Sequence, residues 1–321
     1  MSPTQLHSPS QPPTTNHHQP STINQQQPPT TINHQPSTNH HLPVRVYSPE
    51  PAIQHPAVLI KDLARDVMAG RELAWRLFVR DLKAQYRQTY FGYVWAFLPP
   101  LVASLTFIFL QSQGITNIEG TGVPFAAFAM MGTLLWQTFV ESMQSPITQL
   151  TGAKPMLAKI NFPREAILMA GMYMVVFNFL IRLILLFAVM ATWQVIPGPT
   201  LVLFPLMMFG LLLCGFAIGL ALIPIGGLYG DVARAIPIVA GFWMLLTPVV
   251  YPARDSGLAG ILATWNPISP LISTARATLT GEPLEFLVPA LVVTVIAALF
   301  TTLGLFAFRL ILPHLIARMG G

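Results

Sequence analysis

The chain has 321 residues, 53% of them hydrophobic and only 9% charged, with a formal net charge of +5 and a mean hydropathy of +0.58. Soluble domains average about 25% charged residues, so this composition excludes an ordinary soluble domain and points to a membrane protein. The one cysteine, Cys214, sits inside an apolar run, which excludes a disulfide framework and a CxxC metal site.

Residues 1–56 read as a disordered low-complexity tail. QPPTTNHHQPST from Gln11 returns as QPPTTINHQPST from Gln27, sixteen residues on. Such Pro, Thr, Asn, Gln and His repeats bury too little apolar surface to offset the entropy of ordering. No basic region followed by an apolar one is present, so this is not a signal peptide. Seven of the eight histidines lie here. None has the flanking Cys or carboxylate ligands of a closed metal site, and they read as polar filler.

Residues 57–91 form a cytoplasmic amphipathic helix region. At ~100° per residue, Arg76, Arg80, Lys83 and Arg87 fall in one band of a helical wheel, with Trp75, Phe78, Val79, Leu82 and Tyr86 in the next. A basic stripe beside an aromatic and aliphatic one suits a helix at the headgroup boundary, with its cations near lipid phosphates. Membrane lipids, rather than nucleic acid, are thus the partner of the basic excess. Leu73 and Leu77 lie outside that face and offer a side to protein.

From Gly92, six hydrophobic blocks follow: 92–113, 124–145, 166–195, 200–225, 235–251 and 284–308. Most reach the ~20 residues needed to cross a bilayer; the fifth is short, with Pro237 and Pro248 bounding its core. The expected fold is an all-α membrane protein with six transmembrane helices after the interfacial one. Residues 92–312 form the membrane domain and 313–321 a short cytoplasmic tail. Seven basic residues from Lys61 to Arg87 precede the first span, and Lys154, Lys159, Arg164, Arg234, Arg309 and Arg318 fall on the same side. The other side holds only Arg254 and Arg276. This bias predicts cytoplasmic N and C termini.

Three connections are more than linkers. The segment from Thr151 to Ala166 is basic and broken by Pro155 and Pro163, and Pro163 with Glu165 suits the first turn of a helix. Asp231 and Arg234, three apart, suit one turn of helix before the fifth block. The external connection from Pro252 to Pro283 is long and amphipathic, carries Trp265 and NPISPLI, and contains a helix-like STARATL that ends at Gly281. It predicts re-entrant or interfacial helices before the last span.

WRLFVRDLKAQYRQTYFGYVWAFLPPL resembles the N-terminal signature of ABC-2 type permeases that export polysaccharides and polyol phosphates. The matching residues are Arg80, Asp81, Lys83, Tyr86 and Arg87, then Gly92, Trp95, Ala96 and Pro99. NFPREA at Asn161 to Ala166 resembles the family's lead-in to the third span, DVARAIPIVAGFWMLLTPVVYP its fifth span, and WNPISPLI its external Asn-Pro element. The likeness covers about residues 70–312 in order. Where the family often has Tyr-Arg-Asp, this chain has Tyr229, Gly230 and Asp231, and the tail lies outside the pattern.

The resemblance implies a half-transporter: two copies form the conduit and a separate dimeric cytoplasmic ABC ATPase drives it. In keeping with that division the chain contains no G-x-x-x-x-G-K-[ST] loop, so ATP and Mg belong to the partner, no cofactor is expected here, and the chain is not itself an enzyme. By the same resemblance Lys154, Pro155, Lys159, Phe162, Pro163, Arg164 and Glu165, with Asp231 and Arg234, are the ATPase-coupling residues. A lipid-linked glycan of O-antigen, capsular or teichoic type would be recruited from the inner membrane at Arg80, Lys83, Arg87, Tyr90, Phe91 and Trp95. Its pyrophosphate would lie near the cations.

Sugar rings pack on aromatic faces, so Trp136, Tyr173, Phe177 and Trp243 are further candidates for the path. Arg182 lies about 25 Å along the third span, in the outer half of the bilayer, with Asn178 one turn before it. A charge there either snorkels to the headgroups or serves a function. Glu141, near the inner end of the second span, either pairs with a loop lysine or stays solvated. Alternatives are export of a smaller lipid or drug-like substrate, or a polyprenol-phosphate transferase. The transferase would need a clustered acidic metal site, whereas Asp62, Asp66 and Asp81 sit among cations. An ion-coupled transporter would show repeated halves, and the two sets of three blocks share none.

Overall fold

The computed structural model describes residues 56–87, 94–114, 122–157, 163–252, 260 and 265–319. The chain divides into Met1–Pro51 and Ala52–Gly321, and everything described belongs to the second unit. The expected tail therefore lies outside the described residues, apart from Pro56. The elements are α1 (Pro56–Arg87), α2 (Val94–Ser112), α3 (Phe125–Leu157) and α4 (Glu165–Thr192). A 3₁₀ turn (Pro199–Leu203) leads into α5 (Phe204–Gly226), followed by α6 (Asp231–Leu246), α7 (Ile268–Thr280) and α8 (Leu287–Met319). No strand occurs among the described residues, as the all-α expectation requires. Three helices there are long and apolar enough to cross a membrane: Glu165–Thr192, Pro199–Gly226 and Leu287–Leu315.

Local chemistry accounts for most boundaries. Glu165 stands in the first turn of α4, where a carboxylate meets the positive end of the helix dipole. Pro163 lies one residue ahead of the N-cap Arg164, its carbonyl accepting from the Ala166 N–H at 3.2 Å. Gly281 ends α7 with φ +75, the left-handed cap that glycine adopts without a Cβ penalty.

Two helices outrun their blocks. α3 continues past Ser145 to Leu157, 33 residues or about 50 Å, with Pro146 and Pro155 inside it. Pro155 was expected to break this segment. It sits in the last turn, where a proline removes one ladder bond, while buried Ala153 and Leu157 hold the turn against the body. α8 likewise runs through Pro313 to Met319, so the expected short tail is helical up to that residue.

α3 is the hub, packing against α2, α4, α5, α6 and α7, and α5 lies between α3 and α8. The α3–α5 approach is close because Gly215 and Gly219 face it. A Cβ on Gly215 would stand 2.6 Å from the Phe139 carbonyl oxygen, and one on Gly219 would strike the Met143 carbonyl and the Pro146 ring. This is the small-xxx-small pattern by which membrane helices bring backbones together. The Ser142 hydroxyl crosses the same seam to donate to the Leu212 carbonyl at 2.6 Å.

Outward faces carry apolar stripes at three- and four-residue spacing. They include Val94, Leu98, Val102, Leu105 and Phe109 on α2, and Val176, Leu180, Ile184 and Phe187 on α4. Patches of this extent are rare on soluble monomers and suit hydrocarbon. On α1, Gly70, Ala74, Leu77 and Phe78, one face at i, i+4, i+7 and i+8, are buried, Leu77 on the side expected to meet protein. That face packs on α4, so Phe78, assigned to the lipid-facing band, meets protein instead.

Candidate functional site

The elements define two ends of the body. At one, Gly70 abuts Pro163 and Ala166, Gly227 lies beside Leu150 and Leu315, and Arg309 of α8 donates to Asp66 of α1 at 2.7 Å. Lys154 and Pro155 in the last turn of α3, Pro163, Arg164 and Glu165 at the start of α4, and Asp231 and Arg234 in the first turn of α6 all lie towards this end. Glu165 is buried and Pro155 exposed. Arg234 and Asp231 meet at 3.5 Å, and both are nearly fully exposed, so their pairing contributes little. Lys159 and Phe162 lie outside the described residues. Gly230 has open space where a side chain would stand.

Along α1, Arg80, Lys83 and Arg87 are exposed. Arg80 donates to Asp81 at 2.8 Å, and its other arm lies 4.0 Å from the Met156 sulfur, beside the end of α3. Tyr90 and Phe91 lie outside the described residues. Trp95 stands in the first turn of α2, and its side chain lies outside them too. Tyr173 and Phe177 lock α1 to α4: Phe78 stacks edge-on against Tyr173 at 6.2 Å and Phe177 at 5.8 Å, with Trp75 at 6.2 Å from Tyr173.

Between α1, α3 and α4 lies a polar cleft of about 430 Å³, lined among others by Gln85, Gln144, Ser145, Thr148 and Gln149. Glu141 stands in its wall. Arg182, 4% exposed, does not snorkel; its guanidinium donates to the Glu141 carboxylate, whose second oxygen takes the Asn178 amide at 3.4 Å. Glu141 therefore pairs neither with a loop lysine nor solely with solvent. Charge in a low-dielectric body needs such a partner.

The other end is tied together by two residues that served only as motif and topology markers in the sequence. Asn266 accepts from the Trp243 indole at 3.3 Å and from the Ile268 N–H at 3.1 Å, and donates to the Thr247 hydroxyl at 2.7 Å. Arg276 of α7, buried, donates to the Val249 carbonyl at 2.9 Å and the Pro248 carbonyl at 3.2 Å and caps the Phe128 ring at 3.5 Å. Burial pulls its guanidinium down to about 9, and Glu282 opposes that. Gly132 leaves room for the same Val249 carbonyl, which a Cβ would strike. Trp136 is buried, with ring centroids 5.2 Å from Phe139 and 6.2 Å from Trp243.

Residues 72–280, from within α1 to the end of α7, match the family described as ABC-2 type transporter. The O-antigen export system permease protein RfbA of Myxococcus xanthus is 26% identical over 246 residues, 74% of this chain and 93% of that protein. A protein of the same name from Klebsiella pneumoniae is 22% identical over 214 residues, 64% of this chain and 80% of that protein. With the family matched across more than half its length, the chain belongs to the ABC-2 type transporters.

Proposed function

We propose that this chain is the permease subunit of an ATP-driven exporter that moves a lipid-linked polysaccharide across the cytoplasmic (inner) membrane. The observation that carries the reading is likeness to permeases named for O-antigen export over most of their length, 93% and 80% in the two cases. Two copies would form the conduit, each with six spans: α4, α5 and α8, together with α2, α3 and the short α6. Both termini face the cytoplasm, on the side where the basic residues gather. A dimeric ABC ATPase supplies ATP and Mg chemistry and docks at the end that holds Lys154, Pro155, Arg164 and Glu165, with α1 beside it. α1 lies at the inner headgroups, and the external connection with α7 returns to the outer membrane surface. Arg80, Lys83 and Arg87 present exposed cations to the pyrophosphate of the lipid-linked glycan.

Deleting the coding sequence should abolish surface polysaccharide while lipid-linked glycan builds up in the cytoplasmic leaflet. Restoring the chain should reverse both. In proteoliposomes the chain with its ATPase should move the glycan only when ATP is hydrolysed. Undiminished surface polymer in the deletion strain, or transport by the chain alone, would overturn the proposal.

A further inference from the structure

The cleft between α1, α3 and α4 has no part yet in the mechanism, and its chemistry is specific. Its volume, about 430 Å³, falls within the range of about 300–1,000 Å³ typical of small-ligand sites. Its two carboxylates are already engaged, Asp81 by Arg80 at 2.8 Å and Glu141 by Arg182. The cleft thus offers little surplus charge to a phosphate. What remains is neutral and of mixed polarity: the amides of Gln85, Gln144 and Gln149 and the hydroxyls of Ser145 and Thr148. Amides supply donors and acceptors together, the pairing that vicinal hydroxyls require. The Ser145 hydroxyl is buried and has no hydrogen-bond partner among the described residues, a state costly enough to call for one. Gly171 lets α4 come close to α3 beneath these groups, since a Cβ there would meet the Ser145 hydroxyl and stand 2.6 Å from the Gln149 side chain.

We infer that this cleft binds an uncharged polyhydroxyl group, the first sugar of the exported glycan, at the flank of each subunit. The inference rests on the export reading and adds a sugar-recognition site to it. The hydroxyls of a lipid headgroup have the same chemistry, so the test separates the two.

The probe is a polyprenyl diphosphate bearing one hexose with a diazirine on the sugar. It is added to the permease–ATPase complex in phosphatidylethanolamine nanodiscs. Photolabelling should fall on 141–153 of α3 and 171–178 of α4. Gly152→Phe, which fills the cleft from a position with open space around it, should lower labelling about tenfold, the effect of one or two lost hydrogen bonds. Gln149→Leu, nearly isosteric, should lower it in the same direction, and guards against misfolding in the bulkier variant. Unlabelled sugar-bearing lipid should compete, while sugar-free polyprenyl diphosphate and phosphatidylglycerol should not. Labelling confined to helices that do not line the cleft, or equal competition by either sugar-free lipid, would overturn the site. Export by a complex whose cleft is never labelled removes the site and leaves the exporter standing; cleft labelling in a complex that exports nothing does the reverse.

Discussion

Replacing Glu141 by glutamine leaves the Arg182 guanidinium, 4% exposed, without its counter-charge. Removing one partner of a buried ion pair costs about 3–5 kcal/mol, and insertion scales place a lone arginine at mid-helix at about 2.5–3.5 kcal/mol. Glu141 is 27% exposed, to the cleft, so water screens part of the interaction. The expected destabilisation is accordingly about 2–3 kcal/mol. The double variant Glu141→Leu with Arg182→Met removes both desolvation costs and should return to within about 1 kcal/mol of the parent. The measurement is reversible unfolding in mixed micelles, titrated with dodecyl sulfate and followed by tryptophan fluorescence. A double-mutant cycle then isolates the coupling. If Glu141→Gln changes stability by less than about 0.5 kcal/mol, or if the double variant is as unstable as the single one, the carboxylate is not what holds the arginine inside.

Gly219→Leu should drive α5 off α3 at the Met143 carbonyl and lower stability by about 1–3 kcal/mol, as overpacking does, whereas Gly230→Ala, which meets nothing, should be neutral; thermal retention of monodisperse protein separates them. Asn266→Leu removes the acceptor of Trp243 and the donor to Thr247, and should cost about 1–3 kcal/mol, visible as a blue shift in tryptophan emission and earlier unfolding. Charge reversal at Lys154 with Lys159 should leave insertion intact and abolish export while ATP hydrolysis persists; full export by that variant would remove the coupling role. Arg87→Glu should weaken substrate-stimulated ATPase activity in the reconstituted complex, and an unchanged response would leave this cation a purely topological role.

Helix content and the order of elements were legible because long apolar runs and their Pro and Gly punctuation are local signals. The α7 cap at Gly281 is such a case. The Glu141–Arg182 pair was not legible, for a reason that arithmetic makes plain. Ending the second helix at Ser145 places Glu141 near the inner surface and Arg182 about 20 Å further out. With α3 running to Leu157, Glu141 lies 16 residues before the end of α3 and Arg182 17 residues after the start of α4. Antiparallel neighbours then bring the two to one level. Polar residues beyond Ser145 hid that extension, because hydropathy reports lipid contact rather than helix length. The burial of Phe78 was missed likewise: an amphipathic face looks the same whether it meets lipid or another helix. The Gly215-x-x-x-Gly219 spacing, which marks the α3–α5 seam, is a local pattern that the sequence reading passed over. The contacts of Asn266 and Arg276 to the end of α6 join residues 19 and 27 positions apart, which no local pattern announces.

Mechanically, α3 is a lever. It runs unbroken for about 50 Å, with Lys154 near one tip and Gly132, seated under the Val249 carbonyl, near the other. Pro146, where the bar rests against Gly219, is placed as a fulcrum. A tilt of about 5° about that point shifts the near tip by about 1.5 Å and the far tip by about 3 Å. A push on the basic tip would thus reach the Arg276 clamp through one stiff body, with no chain of side-chain rearrangements in between.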